Sequence, residues 1–315
     1  MSEHILSLSY GKDSLACLGA IEQLGWPLDR IVHAEVWATD TIPADLPPMV
    51  EFKKKADEII LRRWGIEVEH VFAQKDGVKQ TYESIFYRTM KPRKRERERE
   101  LRTMRGFPGH NWPWCIDRLK TNAIDKNLWI PNRQRTMVQL NAQDAAYTDG
   151  QTGGTNTAQE NSKNKLFSAG PRTRGGKEIV QYLGIASDEP ERIARHTKTG
   201  IMLPLVEIGW DEAKCRKWCE ENDLLSPIYT TATRGGCWFC HNQGIGQLRL
   251  LRKNYPDLWA MMLKWDKDSP VTFKPDGHTV HDFDRRFQLE DEGFVYADDR
   301  FRGDMLNEEL NYRLF

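Results

Sequence analysis

Six consecutive residues, Ser9-Tyr10-Gly11-Lys12-Asp13-Ser14, combine a small residue, a cation, a carboxylate and hydroxyl donors. Those types suit a phosphate group. Backbone N–H groups at the start of a helix, with the helix dipole behind them, favour an anion. Lys12 adds a mobile positive charge, and Ser9 and Ser14 add hydroxyl donors. The spacing is not that of a Walker A loop, nor of the Gly-x-Gly-x-x-Gly dinucleotide fingerprint. A second chemical stretch is Cys237-Trp238-Phe239-Cys240, preceded by Gly235-Gly236. Two cysteines at this spacing in a turn can aim both sulfurs at one ion. Such an ion usually takes four ligands, and Cys115 and Cys219 are the candidates for the others. Cys215 lies four residues before Cys219 on one helix and could replace it, and His241 is a further alternative.

The elements around the hexapeptide give it a place. Ile5-Leu6-Ser7-Leu8 is an apolar strand pattern running straight into it. Leu15, Leu18, Ile21 and Leu24 then fall on one helical face, closed by Gly25 and Pro27. Cys17 sits on the buried side of this helix and reads as core. A second apolar run, Ile31 to Val36, follows at the spacing of a βαβ unit. After it comes the polar loop Trp37 to Pro43, which contains Asp40. A long helix is predicted from about Pro48 to Trp64, a strand over Ile66 to Phe72 and a strand over Gln181 to Ala186. Short helices are predicted over Thr81 to Met90 and Asp117 to Leu128. The alternation predicts a three-layer α/β domain with a mostly parallel sheet over residues 1–200. Beyond Leu203 the pattern turns helical, with Trp210 to Asn222 and Gly246 to Lys264 as helices and a break at Pro256. Residues 201–315 are therefore read as a helical, cysteine-containing region ending in an aromatic and acidic tail.

Composition bounds the function. The chain has 315 residues, 39% hydrophobic and 29% charged, with a formal net charge of zero. Neutrality argues against broad non-specific DNA binding. The charge is unevenly placed: Lys91 to Arg105 holds eight Lys/Arg against three Glu. That block reads either as a solvated helix laced with i,i+4 ion pairs or as an arm contacting phosphates of a nucleic acid. Asn141 to Lys177 is rich in Gly, Asn, Gln, Thr and Ser and is predicted to be a flexible insertion. No apolar run approaches a membrane span, and the N-terminus lacks a signal-peptide pattern, so a cytoplasmic location without membrane contact is expected. Six cysteines in such a chain point to metal or redox use more than to disulfides.

Together these motifs resemble the phosphoadenosine-phosphosulfate (PAPS) reductase family of the adenine-nucleotide α-hydrolase superfamily. The hexapeptide is similar to its PP-loop, Ser-x-Gly-Lys-Asp-Ser, with Tyr10 where Gly is common. The resemblance extends over Asp40-Thr41, Cys115 to Lys120, Leu183 to Arg192, Leu224 to Tyr229 and Gly236 to Cys240. Its closest flavour is a branch found in mobile elements and prophages, related to the Dnd-type DNA phosphorothioation ATPase.

The resemblance implies a fold of the PP-loop (HUP) type and a set of roles. Ser9, Tyr10, Gly11, Lys12, Asp13 and Ser14 would hold the phosphates of ATP, with Asp13 helping to place Mg²⁺. Asp40 would lie near the adenosine, and Arg192 would reach the α-phosphate, so that Lys12 and Arg192 are the catalytic candidates. Cys115, Cys219, Cys237 and Cys240 would hold a [4Fe–4S] cluster, or alternatively Zn²⁺. The expected activity is an ATP pyrophosphatase that adenylates an acceptor, in sulfur transfer or nucleic-acid modification. A sulfur-donor protein and a nucleic-acid-bound complex are the implied partners. The alternatives are a reductase-like sulfonucleotide enzyme and a non-catalytic nucleotide-binding accessory protein. Cys240 is the last cysteine, and Leu306 to Phe315 holds no thiol to attack a sulfate sulfur as the reductases do.

Overall fold

The computed structural model describes residues 2–90, 104–109, 113–124, 173–174, 177–196, 201–230, 235–296 and 312–314. The chain separates into two compact units, Met1–Thr81 with Asn111–Gly235, and Tyr82–His110 with Gly236–Phe315. This division differs from the expected boundary at residue 200. The reason is packing: Leu205, Trp210, Cys215, Cys219 and Leu224 join the same core as Leu15, Leu18 and Ile21.

The first unit is an α/β fold around a sheet of order β3-β2-β1-β7-β6. Its strands are β1 (Glu3–Ser7), β2 (Arg30–Glu35), β3 (Val68–Phe72), β6 (Thr173–Arg174) and β7 (Lys177–Tyr182), while β4 (Gln74–Lys75) and β5 (Val78–Lys79) form a separate antiparallel pair. The pairings β1–β2, β2–β3 and β1–β7 are parallel, and β6 joins β7 antiparallel. Leu6 pairs with Ile31 and Ile5 with Gln181 in register. Strand parity sends alternate residues to opposite faces. Leu6, Ile31 and Tyr182 face a core built with α1 (Lys12–Leu24) and α2 (Pro47–Trp64). Ile5, Val32 and Ile179 face the other way, where Val71 and Ile124 cover them. With both faces covered, the apolar runs of these parallel strands are accounted for.

Both long helices stop where the sequence says they must. Gly25 and Gly65 adopt the left-handed conformation at φ +63° and +68°, which glycine takes without steric cost. Pro47 opens α2, where its missing N–H costs nothing. The chain Ile116–Thr121 forms a wide π-type turn directly after Cys115. After α3 (Tyr82–Phe86), in the second unit, the later helices of the first unit are α4 (Pro190–His196), α5 (Pro204–Glu207) and α6 (Glu212–Glu221). Asp211 caps α6 by accepting from the Lys214 N–H at 2.7 Å. The predicted strand over Gln181 to Ala186 ends at Tyr182; beyond it the chain turns toward the first turn of α1.

The second unit contains α3 with α7 (Ile245–Asn254), α8 (Pro256–Asp268) and α9 (Val280–Asp291). Its core is aromatic. Trp238 stacks on Trp265 at 5.6 Å between ring centroids, and Tyr82 lies 4.1 Å from Phe239. The sequence reading gave an aromatic and acidic tail, with no element of its own, where α9 stands. A reciprocal capping box between Thr279 and Asp282 starts this helix, and Val280, Phe283 and Phe287 form its buried stripe. Strands β8 (Phe294–Tyr296) and β9 (Tyr312–Leu314) pair antiparallel. Of the segment 141–177, only Thr173–Arg174 and Lys177 are described, all in strands; the rest lies outside the described residues, as does the Arg/Glu block from Arg93 to Glu100. No helix among the described residues is long and apolar enough to cross a membrane.

Candidate functional site

The loop Ser9–Gly11 leaves the C-terminal end of β1, between β2 on one side and β7 on the other. Here the strand order reverses, since the chain after β1 moves to β2 and returns later to β7. In open α/β sheets, ligands collect in the crevice at such a reversal. Helix α1 starts from this point with Gly11 as its N-cap, a residue with no side chain to cap its first turn. Its first-turn amides are therefore directed at the loop mouth, where an anion would be stabilised.

The loop is laced to itself. Ser9 donates through both its N–H (3.2 Å) and its hydroxyl (3.0 Å) to Ser14 Oγ, which in turn donates to the Gly11 carbonyl at 3.0 Å. The residue in the left-handed conformation is Tyr10, at φ +56°, while Gly11 is extended at φ −75°. The left-handed turn thus falls on Tyr10, the position where Gly is common in the motif, and not on Gly11. An L-residue there costs about 1–2 kcal/mol, and the burial of its ring, only 1% exposed, offsets that cost.

Lys12 is not the exposed loop charge suggested by its motif. It opens α1, is 9% exposed, and its ammonium lies 2.9 Å from Asp13 Oδ1 and 3.2 Å from Glu212 Oε2. Burial works against the charged lysine. The hydrogen bonds and charges of Asp13 and Glu212 outweigh it, and they hold the ammonium above the ordinary lysine range. Asp13 is pushed upward, first by burial, against the pull of Lys12 and with added repulsion from Glu212 and Glu189. Asp13, Glu189 and Glu212 bring carboxylate oxygens within 4.8 Å of one another, the one grouping of three potential metal ligands among the described residues.

Chain segments far apart in sequence complete the site. Tyr229 OH accepts from the Lys12 N–H at 3.0 Å, across 217 positions. Gly184 lies so close to α1 that a Cβ there would meet the Asp13 carbonyl oxygen at 2.5 Å. Arg192, on α4, is ion-paired with Glu189 and reaches the site through that carboxylate. Asp40 sits in the neighbouring loop after β2. Its carbonyl accepts from Lys79 Nζ at 2.6 Å, and Lys79 in turn lies over the Trp37 ring at 3.7 Å. Glu212, Glu189, Gly184 and Tyr229 were not singled out as site residues by the sequence. Glu189, Gly184 and Tyr229 lie in segments that carry the resemblance, whereas Glu212 has no local signal at all.

The cysteines distribute differently. Cys115 and Cys219 belong to the first unit, Cys237 and Cys240 to the second. Cys219 is fully buried, and its thiol donates to the Lys12 carbonyl at 3.2 Å. Burial pushes that thiol up to about 12. A ligand role would require it to deprotonate and turn away from Lys12. Cys17 and Cys215 are equally enclosed, and burial raises both. In the native protein at pH 7.5, Cys17, Cys215 and Cys219 should therefore resist iodoacetamide and react only after denaturation. Mass spectrometry of the labelled peptides checks this, and early labelling of Cys219 would show that its pocket opens.

Cys237 and Cys240 form a tight turn, with the Cys240 N–H donating to the Cys237 carbonyl at 3.0 Å. Gln243 Nε2 holds the same carbonyl at 2.8 Å, and Lys274 Nζ donates to the carbonyls of His241, at 2.6 Å, and Gln243. Burial lowers the Lys274 ammonium below the ordinary lysine range. The turn that carries the two cysteines is thus held by Gln243 and Lys274. No family model, curated protein or solved structure matches this chain.

Proposed function

We propose that this protein is a PP-loop ATP pyrophosphatase, which transfers AMP to an acceptor and releases pyrophosphate. The observation that carries this reading is the position of Lys12. It lies at the start of a helix whose N-cap is a glycine, at the reversal of strand order, within reach of carboxylates that nucleotide phosphates can replace. The strand order β3-β2-β1-β7 and the loop after β1 support assigning the fold to the PP-loop type.

The chemistry follows from charge. An acceptor oxygen forms a bond to the α-phosphorus as the bond to the β-phosphate bridge breaks, and the acceptor proton passes to solvent. Pyrophosphate leaves with the bonding electrons and needs its charge neutralised. Lys12 exchanges Glu212 for the leaving group, and first-turn amides of α1 add fixed donors. Arg192, freed from Glu189, is placed to bear on the α-phosphate. Asp13, Glu189 and Glu212 suit a hard divalent cation in their oxygen-only donor set. Mg²⁺ held there would supply further phosphate neutralisation. Asp40, in the loop beside the site, is assigned to the adenosine.

Cys237 and Cys240 are read as ligands of a metal centre, for which the resemblance favours [4Fe–4S] over Zn²⁺. The acceptor class, in sulfur transfer or nucleic-acid modification, rests on that resemblance as well.

The test is product analysis after anaerobic purification, with Mg·ATP alone, so that water takes the place of the acceptor. AMP and pyrophosphate in equal amounts support the reading. ADP and phosphate would overturn it, because cleavage would then fall at the γ-phosphate. Tight Mg·ATP binding without turnover would favour a nucleotide-binding accessory protein. Iron and sulfide analysis of the same sample decides the metal.

A further inference from the structure

A polar network ties the side chain of Tyr10, in the phosphate loop, to residues outside that loop. The Tyr10 hydroxyl donates to Asp57 on α2 and lies 3.1 Å from His70 Nε2 on β3. His70 Nε2 is 2.9 Å from Asp57 Oδ2, and its Nδ1 is 2.9 Å from Glu35 Oε1 on β2. Carboxylates only accept, so both ring nitrogens donate and His70 is an imidazolium. His33 stands beside it with ring centroids 5.4 Å apart. Its Nδ1 is 2.9 Å from the Leu8 carbonyl and its Nε2 2.8 Å from Lys53 Nζ. A carbonyl accepts and an ammonium donates, so His33 is neutral with its proton on Nδ1. Lys53 also pairs with Asp45 and lies 5.2 Å from the Tyr10 ring centroid.

The groups facing His70 are therefore Asp57 from α2, Glu35 and His33 from β2, and Tyr10 from the loop, with the Lys53–Asp45 pair behind them. All converge on the one loop residue held at positive φ. Without its side-chain anchor, a tyrosine has little reason to stay in that conformation.

We propose that His70 and Asp57 are positioning residues for the phosphate loop: through the Tyr10 hydroxyl they hold Tyr10 left-handed and so fix the backbone of Ser9–Lys12 in its anion-binding shape. This rests on the pyrophosphatase reading only for the identity of the anion. The coupling has a pH signature. The hydrogen bonds of Asp57 and Glu35, against partial burial, raise His70 to about 9, whereas burial and Lys53 keep His33 far below its usual range. A raised histidine binds its proton more tightly in the folded state. Its contribution is complete below the unfolded value of about 6.5 and is lost as pH rises through about 9. Loop order should follow the same window.

Backbone amide NMR of Ser9–Ser14 and the His70 ring signals, recorded without nucleotide from pH 6 to 10, test this directly. The loop amides should shift together with His70, in one transition near 9. Glu35→Gln removes a carboxylate that holds the proton, so the shared transition should move to lower pH. His70→Gln and Tyr10→Phe should abolish it. By calorimetry, Mg·ATP affinity should fall about tenfold across the transition in the wild type, equivalent to about 1.4 kcal/mol, and stay weak and flat in both variants. Loop amides that ignore the His70 titration in the wild type would overturn the proposal whether or not a variant folds. Coupled amides in a protein that binds no Mg·ATP at any pH would uphold the positioning role and overturn the nucleotide reading.

Discussion

Lys12→Ala is expected to lower Mg·ATP-dependent pyrophosphate release by about 10²–10³-fold, the usual loss when a charge-stabilising donor is removed from a transition state. Among the described residues, the lysine is the one cation paired with Asp13 and Glu212, so its removal has a second consequence. Asp13 is left beside Glu212 and Glu189 with repulsion unrelieved. The variant should melt somewhat earlier than the wild type, while near-ultraviolet circular dichroism shows the same fold. Lys12→Arg separates the two effects. It keeps the charge, and should recover the melting temperature, but its larger planar head should restore only part of the pyrophosphate release. Wild-type turnover by Lys12→Ala would remove the loop from the mechanism.

Gly184→Ala should be the most damaging methyl addition near the site. The added carbon would lie 2.5 Å from the Asp13 carbonyl oxygen, 2.6 Å from Ser14 Cα and 2.7 Å from the Asp13 carbonyl carbon. All are backbone atoms in the first turn of α1, so no side chain can rotate to make room. Either the chain after β7 or the N-terminus of α1 must move. We expect a destabilisation of about 1–3 kcal/mol, typical of overpacking, and a matching loss of Mg·ATP affinity, because the helix start is the site itself. Gly246→Ala is the control. Nothing lies within 4 Å of a Cβ there, and a helical glycine replaced by alanine is neutral or stabilising. Thermal melts and calorimetry on both variants check the contrast. Equal behaviour of the two would show that the approach of Gly184 to α1 is not tight in solution.

The local order of strand, loop and helix from Ile5 to Phe72 was legible in the sequence. Apolar period, a glycine stop and an N-terminal proline act within one element and need no knowledge of the rest. Helix Pro47–Trp64 shows this, since its start and stop residues are the ones the pattern marks. The same local reading named only an aromatic and acidic tail where α9 stands, although the Thr279–Asp282 box marks its start. It also set a boundary at residue 200, although α5 and α6 continue the first unit's core.

By itself, then, the sequence determined which residues stand at the loop after β1 and that their types suit an anion. Only the tertiary structure decided that Lys12 is buried and held by Glu212, that Tyr229 takes its amide, and that Gly184 presses on the same helix turn. It also decided that Tyr10 carries the left-handed turn, with Asp57 and His70 as its anchor. The physical reason is that these partners come from separate elements, joined only when the sheet reverses its order at β1. A carboxylate such as Glu212 looks, along the chain, like any other acid at a helix start. Its role comes from the cation that folding places beside it.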